Sequence, residues 1–379
     1  MGESLVSRLE RYEAFLAADS ENPRLVAEVA DLRLRTGRIE SAKELIAEGL
    51  KKWPGEPGLR FQKATLALAE GQPEEARELL QGLVDTGVTA GAVCYNLAYA
   101  LMLLRRPAEA REQLETLLKE QPDSVPEAWL LLARALHHLG EMDSAIAHAQ
   151  HYIDKHPGNA EALGIAALLR LDRGDMADAV KLAEEAVAAD PRNLEGLVVL
   201  GSGALETANE PKAKAHFTEA VTHHPKSGRA WAGMGLTHML GRDVKTGTED
   251  LKRAVTYMPN HIGTWHALAW CQIVTGDLAG AEESFQRSMD IDRNFGETHG
   301  GLAVVAALAG RTEEAEAAIK RAMRLNPQSF AGRFAQSLLL SRTGNPQAAQ
   351  QMIETILSSQ VGADGGSLKD ALLKVFQRR

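Results

Sequence analysis

Residues 191–225 read PRNLEGLVVLGSGALETANEPKAKAHFTEAVTHHP, and the proline that opens the stretch returns 34 residues later to close it. The spacing runs through most of the chain. Pro54, Pro122, Pro157, Pro191, Pro225, Pro259 and Pro327 stand 34 residues or twice that apart, with a single-residue slip between Pro122 and Pro157. Twelve residues before each comes a small residue: Ala42, Ala110, Ala145, Ala179, Ala213, Gly247 and Ala315. A period of this length marks a solenoid, whose repeats bury their apolar faces only against their neighbours.

With the closing proline set as the thirty-second residue, ten repeats begin at Pro23, Pro57, Gly91, Pro126, Ala160, Leu194, Gly228, Ile262, Gly296 and Phe330. Each carries two helical patterns separated by a turn, most often with glycine: Gly37, Gly71, Gly140, Gly174, Gly276, Gly310 and Gly344. Glycine suits a turn whose backbone angles other residues resist. Proline ends the second helix because it lacks an amide donor and clashes with the preceding turn. On the first helix, the fourth, seventh, eighth and eleventh places share one face. Trp129, Leu132, Ala133 and Leu136 fill them in the fourth repeat, and Trp265, Leu268, Ala269 and Gln272 in the eighth. The second helix supplies Ala213 with Phe217, and Ala281 with Phe285.

This pattern resembles the tetratricopeptide repeat, W-x2-L-G-x2-Y followed by A-x3-F and then P. The resemblance covers residues 23–361. It departs at Arg60 and Lys63, which occupy core places, and at Arg293, which replaces a closing proline. It implies an all-α, right-handed α-α superhelix of helix-turn-helix units with a capping helix at each end. Residues 1–22 carry Leu5, Leu9, Tyr12 and Phe15 at helical spacing and are expected to cap the first repeat. Residues 362–379 are expected to form a glycine-rich linker and an amphipathic helix with the stripe Leu368, Leu372, Val375 and Phe376. That helix either caps the last repeat or occupies the groove.

A formal net charge of −9 and a pI near 5.8 argue against a nucleic-acid footprint or an anionic-membrane footprint. No uncharged apolar stretch is long enough for membrane insertion. Glu3, Arg8, Glu10, Arg11 and Glu13 exclude a secretory core from residues 1–22, so the expected compartment is cytoplasmic. Cys94 and Cys271 lie about five repeats apart, beyond disulfide reach.

The resemblance also implies that the second, fifth, ninth, twelfth and thirteenth places of each first helix face a concave groove. Carried over, these places give Leu236, Met239, Leu240, His266, Trp270, Ile273, Val274, Val304 and Leu308 as the expected partner-binding groove. Phe61, Tyr95, Tyr99, Met102, Arg134 and His137 form an expected secondary subsite. Residues 300–309 of the ninth repeat have no polar side, and such a helix is either buried all round or an interaction surface. The expected partner is another protein, presented as an apolar helix or an extended peptide. The Lys and Asn ladder of a chaperone-tail clamp is missing.

His148 and His151 lie three apart on one helix, yet no third ligand in their repeat completes a zinc set. Arg173-Gly174-Asp175 reads as a turn between helices. There is no phosphate loop, nucleophile elbow or dinucleotide fingerprint. The expectation is therefore a noncatalytic bacterial scaffold, adaptor or chaperone with no cofactor and no metal. The alternatives are a docking or regulatory subunit of an enzyme, part of a secretion or envelope-polysaccharide assembly machine, and a self-associating homodimer.

Overall fold

Caps and prolines set where the helices begin. Asn22 accepts from the Leu25 amide at 3.2 Å and Ser227 from the Ala230 amide at 3.2 Å, each satisfying an orphan donor of the first turn. Pro57, Pro73 and Pro107 sit in the first turn, where a missing amide costs nothing. The computed structural model describes residues 4–358, and these hold twenty-one helices and no strand. The expected linker and terminal helix of residues 362–379 lie outside the described residues.

The chain divides into two units, Met1–Arg173 and Gly174–Arg379. In the N-terminal unit, α1 (Leu5–Ala18) precedes the hairpins α2 (Pro23–Arg35) with α3 (Ile39–Lys52), α4 (Pro57–Ala69) with α5 (Pro73–Asp85), and α6 (Gly91–Leu103) with α7 (Pro107–Glu120). After them come α8 (Ala128–His138), α9 (Met142–Lys155) and α10 (Ala160–Arg173). The C-terminal unit begins with α11 (Met176–Ala189), α12 (Leu194–Glu206), α13 (Glu210–His223), α14 (Gly228–Leu240) and α15 (Val244–Tyr257). It continues with α16 (Ile262–Thr275), α17 (Leu278–Ile291), α18 (Gly296–Leu308), α19 (Thr312–Leu325), α20 (Phe330–Arg342) and α21 (Pro346–Leu357).

Nine first helices start at the residue that the proline period gives. The exception is α8, which starts at Ala128 rather than Pro126. There the single-residue slip lengthens the loop, and Ala128, Trp129 and Leu130 donate to carbonyls three residues back. Every described hairpin turn takes the left-handed conformation at the fifteenth place. Glycine fills it at Gly37, Gly71, Gly140, Gly174, Gly276, Gly310 and Gly344, with φ between 72° and 97°. Arg105, Ala208 and Arg242 are forced into the same region, at φ 58°, 51° and 66°. A side chain there costs about 1–2 kcal/mol.

Within each unit, second helices pack against their own first helix and the next one, and successive first helices touch. The first helices therefore form the inner layer. Phe217 of α13 is fully buried in a slot between Gly201 of α12 and Gly233 of α14, where any Cβ would collide with its ring. Phe285 of α17 is seated likewise against Gly301 of α18. Where the second helix offers only Ala149 or Ala183, the corresponding place on the next first helix holds Ile165 or Val199, all four buried. Volume lost on one helix is thus made up on its neighbour. Lys63, in a core place, turns outward to Glu75 at 2.8 Å, beside a recess of about 430 Å³ floored by Ile46, Leu50, Leu66 and Ala67.

Two outcomes follow. Ala208→Gly relieves a left-handed alanine and should raise stability by about 1 kcal/mol, read as a higher thermal midpoint; an unchanged or lower midpoint contradicts the strain. Gly233→Ala should cost about 1–3 kcal/mol, and adding Phe217→Leu should recover part of the loss. Simple additivity of the two would mean that ring and slot are not coupled.

Candidate functional site

In the C-terminal unit the thirteenth place of successive first helices holds Leu240, Val274 and Leu308. Val274 is 68% exposed and Leu308 41%, while Leu240 is half-buried. Leu236, at the ninth place of α14, is 41% exposed. Met239, Trp270 and Ile273 are half-buried behind this row, and the Met239 thioether lies 3.1 Å from the buried Cys271 thiol. Trp270 sits 6.1 Å from Phe330, 6.2 Å from Phe334 and 6.2 Å from Phe285, the last edge-on at 88°. Phe330 and Phe334 stack at 6.3 Å, and Phe330 is 43% exposed. The expected groove did not include these two rings. Phe334 stands at the fifth place of the tenth repeat, so extending the slot rule by one repeat finds it.

Two expected groove residues face elsewhere. Val304 is fully buried, packed with Ala303, Ala335, Ile273 and Phe334, so it offers nothing to a partner. The cause is a close crossing of α18 and α20. A Cβ at Gly300 would stand 2.5 Å from the Gly332 amide nitrogen, so only glycine lets the helices approach this far. Glu297 fastens the crossing by accepting from the Phe330 and Ala331 amides, at 2.9 and 3.0 Å, at the start of α20. The apolar helix α18 is therefore largely core, and only Leu308 at its end remains open. His266 bonds through Nε2 to the buried Thr298 hydroxyl at 2.9 Å and lies edge-on between Phe285 and Phe295. Burial holds its pKa down to about 4, against the opposing pull of Glu297, so at neutral pH it is an uncharged packing element.

In the N-terminal unit a cleft of about 410 Å³ opens on the first-helix face. Tyr95, Tyr99, Met102 and Leu103 come from α6, Leu130, Leu131, Arg134 and His138 from α8, with Glu127 just before α8 and Glu161 from α10. Leu103 is 46% exposed, whereas Leu130 and Leu131 are buried beneath it. Arg134 reaches Glu161 at 3.7 Å. The Tyr95 hydroxyl is pushed up to about 12, chiefly by burial and then by Glu161 and Glu127, with Arg134 opposing. The structure thus gathers Tyr95, Tyr99, Met102 and Arg134. Phe61 is half-buried on α4 and does not line the cleft, and His137 bonds Asp172 through Nε2 at 2.8 Å. Glu127 stands at the second place of its repeat, so the slot rule reaches it as well.

The remaining polar clusters serve packing. His148 and His151 lie against Trp129, with centroids 5.4 and 4.1 Å away, and burial lowers the His148 pKa. Among the described residues no group of three or more His, Cys, Asp or Glu side chains is placed to hold a metal ion. His238 meets the buried Asp250 at 2.8 Å, and Asp250 lies 3.7 Å from Arg253, whose guanidinium covers the Trp231 ring at 4.6 Å. Both cysteines are free thiols whose pKa is raised first by burial, the reverse of activation. No described helix is long and apolar enough to cross a membrane.

Among solved structures, the human IFIT1 dimer with m7Gppp-AAAA shares 16% identity, covering 88% of this chain and 89% of that chain, with a TM-score of 0.52. A monomeric IFIT1 mutant with m7Gppp-AAAA shares 14% over the same proportions, with a TM-score of 0.56. YrrB, a tetratricopeptide protein with an unusual peptide-binding site, shares 18% over 50% of this chain and 97% of its own, with a TM-score of 0.40. At these identities the likeness to IFIT1 shows the fold alone. No curated protein matches the sequence. Tetratricopeptide repeat models match residues 28–91, 95–160 and 150–194, and a further one matches residues 296–321. With half of the sequence matched and the hairpins in register, the chain belongs to the tetratricopeptide repeat family.

Proposed function

We propose that the chain is a noncatalytic adaptor or chaperone that holds a segment of another protein along the first helices of its C-terminal unit. The repeat itself is a protein-interaction module. The observation that carries the reading is the row Leu240, Val274 and Leu308, joined by Leu236. Apolar side chains set one repeat apart on consecutive helices are matched by the apolar stripe of a helix or of an extended peptide. Leaving them in water forgoes about 25 cal/mol for each Å² that a partner would cover. The pair of half-buried His238 with buried Asp250 and the His137–Asp172 pair are taken up by packing and hydrogen bonds, which favours a scaffold over a catalyst.

Val274→Asp with Leu308→Asp places charge on positions that are already exposed, so helical circular dichroism and the thermal midpoint should hold. Partner recovery from the native host, measured against the unaltered chain, should fall by about tenfold or more. Undiminished recovery with the fold intact would remove the row from the binding surface. Loss of helicity would show that these side chains belong to the core.

A further inference from the structure

We propose that the cleft between α6, α8 and α10 is a second binding site, for a protein segment carrying an aromatic or large aliphatic side chain next to a lysine or arginine. This rests on the scaffold reading above but on different residues, in the other unit of the chain. The floor is apolar, with Leu130 and Leu131 buried and Met102 half-buried, and the Tyr95 and Tyr99 rings stand beside it. At about 410 Å³ it falls within the range of ligand pockets and accommodates a large side chain with its adjoining backbone. Leu103 and Tyr99, 46% and 41% exposed, are apolar surface at its mouth that no other part of the described chain covers.

The charge at the mouth names the rest of the ligand. Glu127 and Glu161 are both exposed, and among the described residues lining the cleft Arg134 is the one guanidinium. Arg134 leans to Glu161, and among the described residues no ion pair joins a cation to Glu127. After burial, the Glu161 and Glu127 carboxylates are the main influences raising Tyr95, and the same two raise Tyr152 on α9. A lysine or arginine entering beside Glu127 gains an unopposed carboxylate and lies within reach of the tyrosine faces. Tyrosines can also stack nucleobases, but an oligonucleotide would bring its phosphates to a carboxylate rim. The charge pattern therefore favours a basic peptide over RNA. A neighbouring recess of about 380 Å³, lined also by Arg105 and Pro107, shares Met102, Leu103 and His138 with the cleft and extends it into a trough, so the basic side chain belongs at the Glu127 and Glu161 end.

The test is selection of a phage-displayed library of random twelve-residue peptides on the full-length chain, with calorimetric titration of the best clone as a synthetic peptide. Enriched sequences should pair Phe, Tyr, Leu or Met with Lys or Arg. Binding should weaken about tenfold or more in Glu127→Gln/Glu161→Gln and in Leu103→Asp, yet stay unchanged in Val274→Asp/Leu308→Asp. That last variant keeps failure of this proposal distinct from failure of the row in the C-terminal unit. No enrichment, enrichment without basic residues, or binding indifferent to both cleft variants overturns the proposal. Equally tight binding by the synthetic peptide of residues 368–379 would overturn a separate partner in favour of a second copy of this chain. Capture of a fluorescent oligoadenylate that Leu103→Asp abolishes would overturn the peptide reading.

Discussion

A helical hairpin of this size cannot bury its own apolar face, so each one depends on the fit of the next. The insertion of Phe217 between Gly201 and Gly233 shows how tight that fit is. The ring comes from a second helix, and the slot is made by two first helices that carry no side chain where the ring lies. Burying such a ring is worth about 1.5–3 kcal/mol. Phe285 against Gly301 repeats the device, and the pairings of Ala149 with Ile165 and Ala183 with Val199 invert it.

This fit decides what remains for a partner. Once the second helices have claimed the core-facing places, the first helices present their other side to the inner surface. How much of it stays open depends on how closely successive first helices approach. Between α18 and α20, Gly300 faces Gly332 and Glu297 ties the start of α20, so the inner surface closes over Val304. At the thirteenth place, near the end of each first helix, Val274 and Leu308 escape that closure. In the N-terminal unit no such closure covers Tyr99 and Leu103, and a cleft remains.

The fold was legible because proline, turn glycine and the small eighth-place residue each answer to a local steric rule that repeats every 34 residues. The start of α8 escaped it because the slip between Pro122 and Pro157 falls in the loop just ahead, which the period cannot resolve. Arg105, Ala208 and Arg242 show that the turn imposes its left-handed geometry even where the sequence withholds glycine. The site was legible by place and not by exposure. The slot rule reached Tyr95, Tyr99, Val274 and Leu308 because it follows the helical period. It misplaced Val304 because burial there is set by glycines on two different helices meeting in space, which no period within one repeat encodes. His137 failed to join the cleft for a related reason: its partner Asp172 comes from another repeat, and the period does not encode that hydrogen bond.

The inner surface of the C-terminal unit is sealed at the ninth place of α18, where Val304 is buried, and open at the thirteenth place of α16, where Val274 is exposed. Thiol labelling reads this directly, by comparing Val274→Cys with Val304→Cys in a chain carrying Cys94→Ala and Cys271→Ala. The first variant should react at close to the rate of a free thiol, and the second about 100-fold more slowly, because it must wait for local opening. Equal rates would contradict this: both fast would mean that α18 is not covered by α20, and both slow that the apolar row is already core.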